Sequence, residues 1–249
     1  MTVENKVVVI MGASSGIGEA TANLLASKKA KLTIAARRMS RLEEIQQNNA
    51  GADILAVEAD VSNADEVQNV IDKTVEKYGR IDVLFNNAGI MPVNNLSALA
   101  RDEWKNMLET NVEGVLNGIA SALPVMRKQK SGHVITTSSV LGYELLPGYA
   151  TYSGTKFAVR AIMEGLRQEE RSNNIKTTIV APGTVQTELF QSINNKEVRE
   201  QLESMQDLPG AEMQALQPEE IAQAVAFVID TPANMAVNEM IIRPTGQEV

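Results

Sequence analysis

The sequence predicts an α/β fold in which a mostly parallel, seven-stranded sheet is doubly wound, with helices on both faces. Seven short runs rich in β-branched residues alternate with segments of helical apolar spacing, the βαβα order that parallel sheets require. Gly12, Arg37, Asp60, Asn86, Ser139 and Pro182 then fall at the carboxyl ends of successive runs, the edge along which open α/β sheets bind ligands. A random scatter of polar residues would not sort to one end. A chain of 249 residues, 44% of them hydrophobic, suits one large domain with a sizeable core.

The predicted strands run from Val7 to Met11, Leu32 to Ala36, Ile54 to Glu58, Val83 to Asn86, His133 to Thr137, Thr177 to Ala181 and Met240 to Ile242. Between them, Glu19 to Lys28, Arg41 to Asn48, Asp65 to Tyr78, Asp102 to Lys128, Ser153 to Ser172 and Pro218 to Asp230 carry helical spacing. The stretch from Arg101 to Lys130 is long for one helix. Residues 188–216 break the pattern, with helical patches at Val198, Leu202 and Met205 and the breakers Pro209-Gly210, and are expected to form an inserted lid.

A net charge of −8 argues against a nucleic-acid or anionic-membrane partner, because the long-range field repels both. With no apolar run of about eighteen residues and no signal-peptide core at the start, the expected compartment is the cytoplasm. The absence of cysteine excludes disulfides, thiolate-zinc sites and cysteine nucleophiles. One histidine, His133, leaves metal chemistry poorly supplied, and no metal site is expected.

After the first strand comes Gly12-Ala13-Ser14-Ser15-Gly16-Ile17-Gly18, opening a helix whose exposed N–H groups and dipole favour a pyrophosphate. The same letters fit a G-x-S-x-G nucleophile elbow with Ser14 as a hydrolase nucleophile. That alternative needs a histidine presented from a loop, whereas His133 begins a strand at the opposite edge of the sheet and is most simply a strand-edge polar residue. At the end of the second strand stand Ala35-Ala36-Arg37-Arg38, with no acid for a ribose 2′-hydroxyl. Two guanidiniums there suit the 2′-phosphate of NADP(H). At roughly 1.5–3 kcal/mol for a hydrogen bond to a charged group, one good contact gives a preference of about ten- to a hundredfold.

Tyr152 and Lys156 lie one turn apart in a predicted helix, on one face, where the ammonium acidifies the phenol. Bringing a phenol from about 10 to near 7 takes roughly 4 kcal/mol, which the lysine and a cofactor's positive charge are expected to supply. Tyr149 is a rival, but Pro147-Gly148 puts it at the irregular helix entrance, where it lines the pocket wall. Of the adjacent serines 138 and 139, strand alternation turns only one toward the pocket.

Together these motifs resemble the short-chain dehydrogenase/reductase family in its classical form, over about residues 6 to 242. The Gly12 to Gly18 loop, Asp60-Val61, Asn86-Asn87-Ala88-Gly89, Asn111-Val112, Ser138-Ser139, Tyr152 with Lys156, and Pro182-Gly183 followed by Thr187 occur in family order. Ala36-Arg37 and Arg243-Pro244-Thr245 make the chain resemble the NADP-using members around clavaldehyde dehydrogenase and the 3-hydroxy-acid dehydrogenases.

The resemblance implies a Rossmann fold and reversible hydride transfer between NADP(H) and a carbonyl or secondary alcohol. Tyr152 would be the general acid/base, with Lys156 lowering its pKa and holding the nicotinamide ribose. Ser139 would donate to the substrate oxygen, and Asn111 would hold a relay water. Ser14, Ser15 and Ile17 of the glycine loop belong to the cofactor site with Arg37 and Arg38. Asp60 and Val61 would contact adenine, Asn87, Ala88 and Gly89 the adenosine ribose side, and Pro182, Gly183, Val185 and Thr187 the nicotinamide end.

The expected substrate wall includes Ser139, Tyr149 and Leu145, with Met91, Leu141, Leu146 and Phe190 making the pocket moderately apolar. Family likeness implies a homotetramer. A non-catalytic NADP(H)-binding redox sensor is the alternative function, against which the retained Asn111, Ser139, Tyr152 and Lys156 argue.

Overall fold

A computed structural model describes residues 3–193 and 215–247 of the chain. Its strands are β1 (Val7–Met11), β2 (Lys31–Ala36), β3 (Ile54–Glu58), β4 (Val83–Asn86), β5 (Gly132–Thr137), β6 (Ile175–Pro182) and β7 (Glu239–Ile242). They form one sheet in the order β3-β2-β1-β4-β5-β6-β7, with every neighbouring pair parallel. The order reverses between β1 and β4. Chains leaving these two strands diverge, which opens a crevice at their carboxyl ends.

The helices are α1 (Gly16–Ser27), α2 (Met39–Asn48), α3 (Ala64–Tyr78), α4 (Arg101–Leu108), α5 (Gly114–Gln129), α6 (Ala150–Glu170) and α7 (Pro218–Asp230). Two-residue alternation along β1 sends Val8 and Ile10 into one layer with Leu25 of α1, Leu42 of α2 and Val225 of α7. Val9 and Met11 enter the other, with Val70 of α3, Ala122 of α5 and Met163 of α6. Each large aliphatic side chain buried this way contributes roughly 1.5–3 kcal/mol. A third apolar cluster, which includes Met91, Met107, Leu141, Tyr152 and Ile193, draws its residues from segments that follow the carboxyl ends of the strands.

The long helix expected over 102–128 is broken. α4 passes through a π-helical turn at Glu109–Glu113 before α5 begins. Asn111 is buried in that turn and bonds to the backbone of Ile90 on the loop after β4. Such wider turns recur at functional sites because they redirect a side chain without ending the helix.

His133 is not the strand-edge residue expected from the sequence. β5 is an interior strand, and the ring is 4% exposed with Nε2 2.7 Å from Thr178 Oγ1. Burial, helped by the nearby Lys176 and Lys6 charges, pushes its pKa down to about 3. It therefore stays neutral inside the sheet.

Asn63 caps α3, accepting from the backbone N–H groups of Asp65 and Glu66. Of residues 188–216, a 3₁₀ turn at Glu188–Ser192 and residues 193, 215 and 216 are described. The helical patches at Val198, Leu202 and Met205 and the Pro209-Gly210 break lie outside the described residues. Among the described residues, no helix is long and apolar enough to cross a membrane.

Candidate active site

α6 starts at Ala150, capped by Tyr149, so Tyr152 lies in its first turn and Lys156 one turn further along the same face. Both side chains are buried, at 5% relative exposure each. The Lys156 Nζ donates to the Thr137 carbonyl at 3.0 Å and stands 5.5 Å from the centre of the Tyr152 ring. Burial pushes the phenol up to about 12, opposed by a hydrogen bond with Ser139. It also pushes Lys156 down to about 8.

The acidified phenol expected from the pairing is thus not the state found here. The ammonium is directed at a backbone carbonyl, and desolvation dominates both groups. Tyr149 is half-buried beside the apolar cluster, and burial raises its phenol as well. The two adjacent serines separate as alternation requires: Ser138 donates to the Lys156 carbonyl inside the packing, while Ser139 faces Tyr152. The Ser139 hydroxyl also accepts from the Leu141 N–H at 3.1 Å.

Asn111 closes the back of the site. Its Oδ1 accepts from the Ile90 N–H at 2.9 Å, and its Nδ2 donates to the Ile90 carbonyl at 2.9 Å and to Thr155 Oγ1 at 3.2 Å. A side chain added at Gly89 would begin 3.4 Å from Asn111 Oδ1 and 3.8 Å from Lys156 Nζ. Gly89 therefore leaves a gap between these two groups. Asn87 ties three segments together, donating to the Gly12 carbonyl at 3.0 Å and accepting from Thr137 at 2.9 Å. Asn86 is buried against Gly118, and neither atom of its carboxamide has a protein hydrogen-bond partner among the described residues.

Gly12 adopts φ 83°, and a Cβ there would meet the Ala88 backbone at 2.6 Å. Only glycine lets the loops after β1 and β4 touch. Ser15 is the residue before α1 and makes no side-chain cap, leaving the first-turn N–H groups of Gly16, Ile17 and Gly18 without a side-chain acceptor there. Ser14 Oγ accepts from Arg38 at 3.0 Å, which occupies the hydroxyl that a hydrolase would need as nucleophile. The only histidine, His133, is bonded to Thr178 within the sheet.

Arg37 is exposed, 3.8 Å from Asp60. Burial raises the Asp60 carboxyl, but hydrogen bonds from Ser62 and the Arg37 charge outweigh it and hold the group below its ordinary value. Val61 is buried next to Gly114, and its carbonyl accepts from Asn117. On the far side, β6 ends at Pro182, Gly183 donates to Ile242, Val185 bridges Leu216, and Thr187 lies against Gly16. Leu145 does not join the pocket: it is 68% exposed, and Leu146 packs on the apolar cluster instead.

Two contacts escaped sequence reasoning. Glu188 forms an ion pair with Arg38 at 2.9 Å, and Ser192 Oγ accepts from the Met91 N–H at 2.8 Å. Neither leaves a local signal, because the partners lie far apart in sequence.

Residues 6–198 match the family described as short chain dehydrogenase. The chain belongs to the short chain dehydrogenase family. This short chain dehydrogenase is 49% identical over 249 residues to an uncharacterized oxidoreductase of Staphylococcus saprophyticus, covering 99% of each chain. Among solved structures it is similar to an alcohol dehydrogenase from the archaeon Thermococcus sibiricus complexed with 5-hydroxy-NADP. That likeness has 31% identity and a TM-score of 0.87 over 99% of both chains. It is also similar to a short chain dehydrogenase/reductase from Burkholderia phymatum in complex with NAD, at 26% identity and a TM-score of 0.85, over 97% of this chain and 90% of that one. The protein is thus an oxidoreductase of this family, whose structural neighbours bind nicotinamide dinucleotides of either kind.

The buried Lys156 links this dehydrogenase's stability to pH. Folded, it loses its proton near pH 8, against its ordinary 10.5 when exposed. Between those values the unfolded chain binds more protons, so stability rises with pH; below about pH 8 the full penalty applies. Lys156→Met should therefore raise the unfolding free energy at pH 7 by about 1–3 kcal/mol, with the gain shrinking toward pH 10.5. Chemical denaturation of both proteins across that range checks it; a pH-independent difference, or a less stable variant at pH 7, would contradict it.

Proposed function

We propose that this oxidoreductase uses NADP(H) to interconvert a carbonyl and a secondary alcohol, with Tyr152 as general acid and base. The observation that carries the proposal is the convergence of a buried phenol, a buried amine one helical turn away and the Ser139 hydroxyl at the carboxyl end of the sheet.

The residues fit a dinucleotide. First-turn N–H groups of α1 with no side-chain cap suit a pyrophosphate at Ser14, Ser15, Gly16, Ile17 and Gly18. Asp60 and Val61 would hold adenine, Asn87, Ala88 and Gly89 the adenosine ribose side, and Pro182, Gly183, Val185 and Thr187 the nicotinamide end. The choice of NADP(H) rests on Arg37 and Arg38 and on the missing carboxylate at the end of β2. The Thermococcus sibiricus neighbour, solved with an NADP derivative, supports it.

When bound, the cofactor supplies the hydride chemistry. In the reducing direction Tyr152 donates a proton to the carbonyl oxygen; burial keeps the phenol protonated at neutral pH but makes it a weak acid, so the transfer requires its pKa to be lowered. Ser139 donates to the same oxygen and stabilises the charge that develops there. Lys156 lowers the phenol's pKa when its ammonium is charged and holds the nicotinamide ribose. Asn111 holds a relay water in the gap that Gly89 leaves beside Lys156.

Tyr149, Leu141, Leu146 and Phe190 make the substrate side moderately apolar. We place the enzyme in the cytoplasm as a homotetramer, with the exposed apolar residues Leu116 on α5 and Phe157 on α6 as subunit contacts.

Tyr152→Phe should lower kcat with NADPH and a reducible ketone or aldehyde by at least about a hundredfold, while NADPH binding by fluorescence titration changes little. Substantial remaining turnover would sink the assignment. Arg37→Ala should reduce the preference for NADPH over NADH by about ten- to a hundredfold; equal affinity for both in the parent protein, unchanged by the substitution, would count against NADP(H). Size-exclusion chromatography with light scattering should return four copies, and a monomer would rule the tetramer out.

A further inference from the structure

Of the three guanidiniums after β2, Arg38 is the one paired with the turn that follows β6. Arg41 is matched by Glu19 at 3.2 Å and Glu44 at 2.6 Å on α1 and α2 and donates to the Ser14 carbonyl at 3.5 Å, and Arg37 stands loosely at 3.8 Å from Asp60. Arg38 reaches both the glycine loop and Glu188. Its Nε and Nη2 donate to Ser14 Oγ at 3.3 and 3.0 Å, and Nη2 meets Glu188 Oε2 at 2.9 Å.

Glu188 opens the 3₁₀ turn Glu188–Ser192, whose two ends contact Arg38 and Met91. Next to it, Thr187 packs on Gly16, where an added Cβ would lie 2.9 Å from the threonine methyl. At the far end, Ser192 Oγ accepts from Met91 on the substrate side. Arg38 therefore ties the turn to the segment after β2, beside the Thr187–Gly16 contact.

We propose that Glu188 is a specificity-determining residue, whose carboxylate holds Arg38 in competition with the 2′-phosphate of the cofactor. The inference rests on the NADP(H) assignment above. A phosphate monoester brings nearly two negative charges and three acceptor oxygens, against one charge on the carboxylate. Because Arg38 and Glu188 are respectively 47% and 38% exposed, the ion pair is solvent-screened and exchangeable. A phosphate that takes the guanidinium leaves Glu188 unpaired beside a like charge, so the same event loosens the turn 188–192. Glu188 thus tempers affinity for the phosphorylated cofactor and reports its arrival to the substrate side.

Two nucleotide fragments that differ only in the relevant group test this: adenosine 2′,5′-bisphosphate and 5′-AMP, titrated calorimetrically into the full chain and into Glu188→Gln. The variant should bind the bisphosphate about three- to tenfold more tightly, as expected for removing an exposed competing pair, and 5′-AMP within about twofold. Hydrogen exchange over residues 187–193 of the parent protein should increase with the bisphosphate and not with 5′-AMP. Unchanged or weaker bisphosphate binding by Glu188→Gln, in a protein that still prefers the bisphosphate to 5′-AMP, overturns the role of Glu188 and leaves the NADP(H) assignment standing. If the parent protein binds both fragments equally, and Arg38→Ala alters neither, the cofactor assignment falls and the proposal falls with it.

Discussion

Burying a phenol and an amine one helical turn apart is the constraint from which the rest of this site follows. Water no longer solvates either charged form, so Tyr152 is driven up to about 12 and Lys156 down to about 8. An amine so placed must have its N–H groups directed at an acceptor, and the Thr137 carbonyl at the end of β5 is that acceptor. Holding it there requires α6 to lie in one register on the sheet. Val159, Met163 and Leu166 supply the packing, and Ser138 bonds to the Lys156 carbonyl from the strand side. Gly142 allows the close approach, since a Cβ there would come within 2.8 Å of Ser138 Oγ.

The crevice between β1 and β4 leaves backbone groups without strand partners, and carboxamides take their place. Asn87 joins the glycine loop to β5, and Asn111 bonds both backbone groups of Ile90. Each such bond is worth only about 1 kcal/mol net, but leaving the buried group unpaired would cost more. The π-helical turn follows from the same requirement: Asn111 must reach the loop after β4 while the helix continues past it. Asn86 is the exception, a buried carboxamide pressed on Gly118 with no protein partner among the described residues.

The segment after β2 follows opposite physics. Arg37, Arg38 and Arg41 are partly exposed and paired with carboxylates through solvent-screened contacts, each worth little in stability. Weak pairs of this kind can be exchanged for a ligand at small cost, whereas the dry pair on α6 is held in one arrangement. The fold thus joins a rearrangeable charged end to a dry, fixed end along one sheet edge.

The strands, their order of appearance and the polar residues at their carboxyl ends were legible in the sequence. So were the shared face of Tyr152 and Lys156 and the opposite facing of Ser138 and Ser139. These depend on the two-residue and 3.6-residue repeats of the backbone, which are local properties. Burial and charge pairing are not local. Whether His133 lies inside the sheet, whether Leu145 or Leu146 meets the pocket, where the helix after residue 101 widens, how far desolvation shifts the Tyr152 phenol, and which carboxylate meets Arg38 are each set by neighbours brought together from distant parts of the chain. Only the folded arrangement decides them, because solvent exclusion and Coulomb energy depend on distance in space.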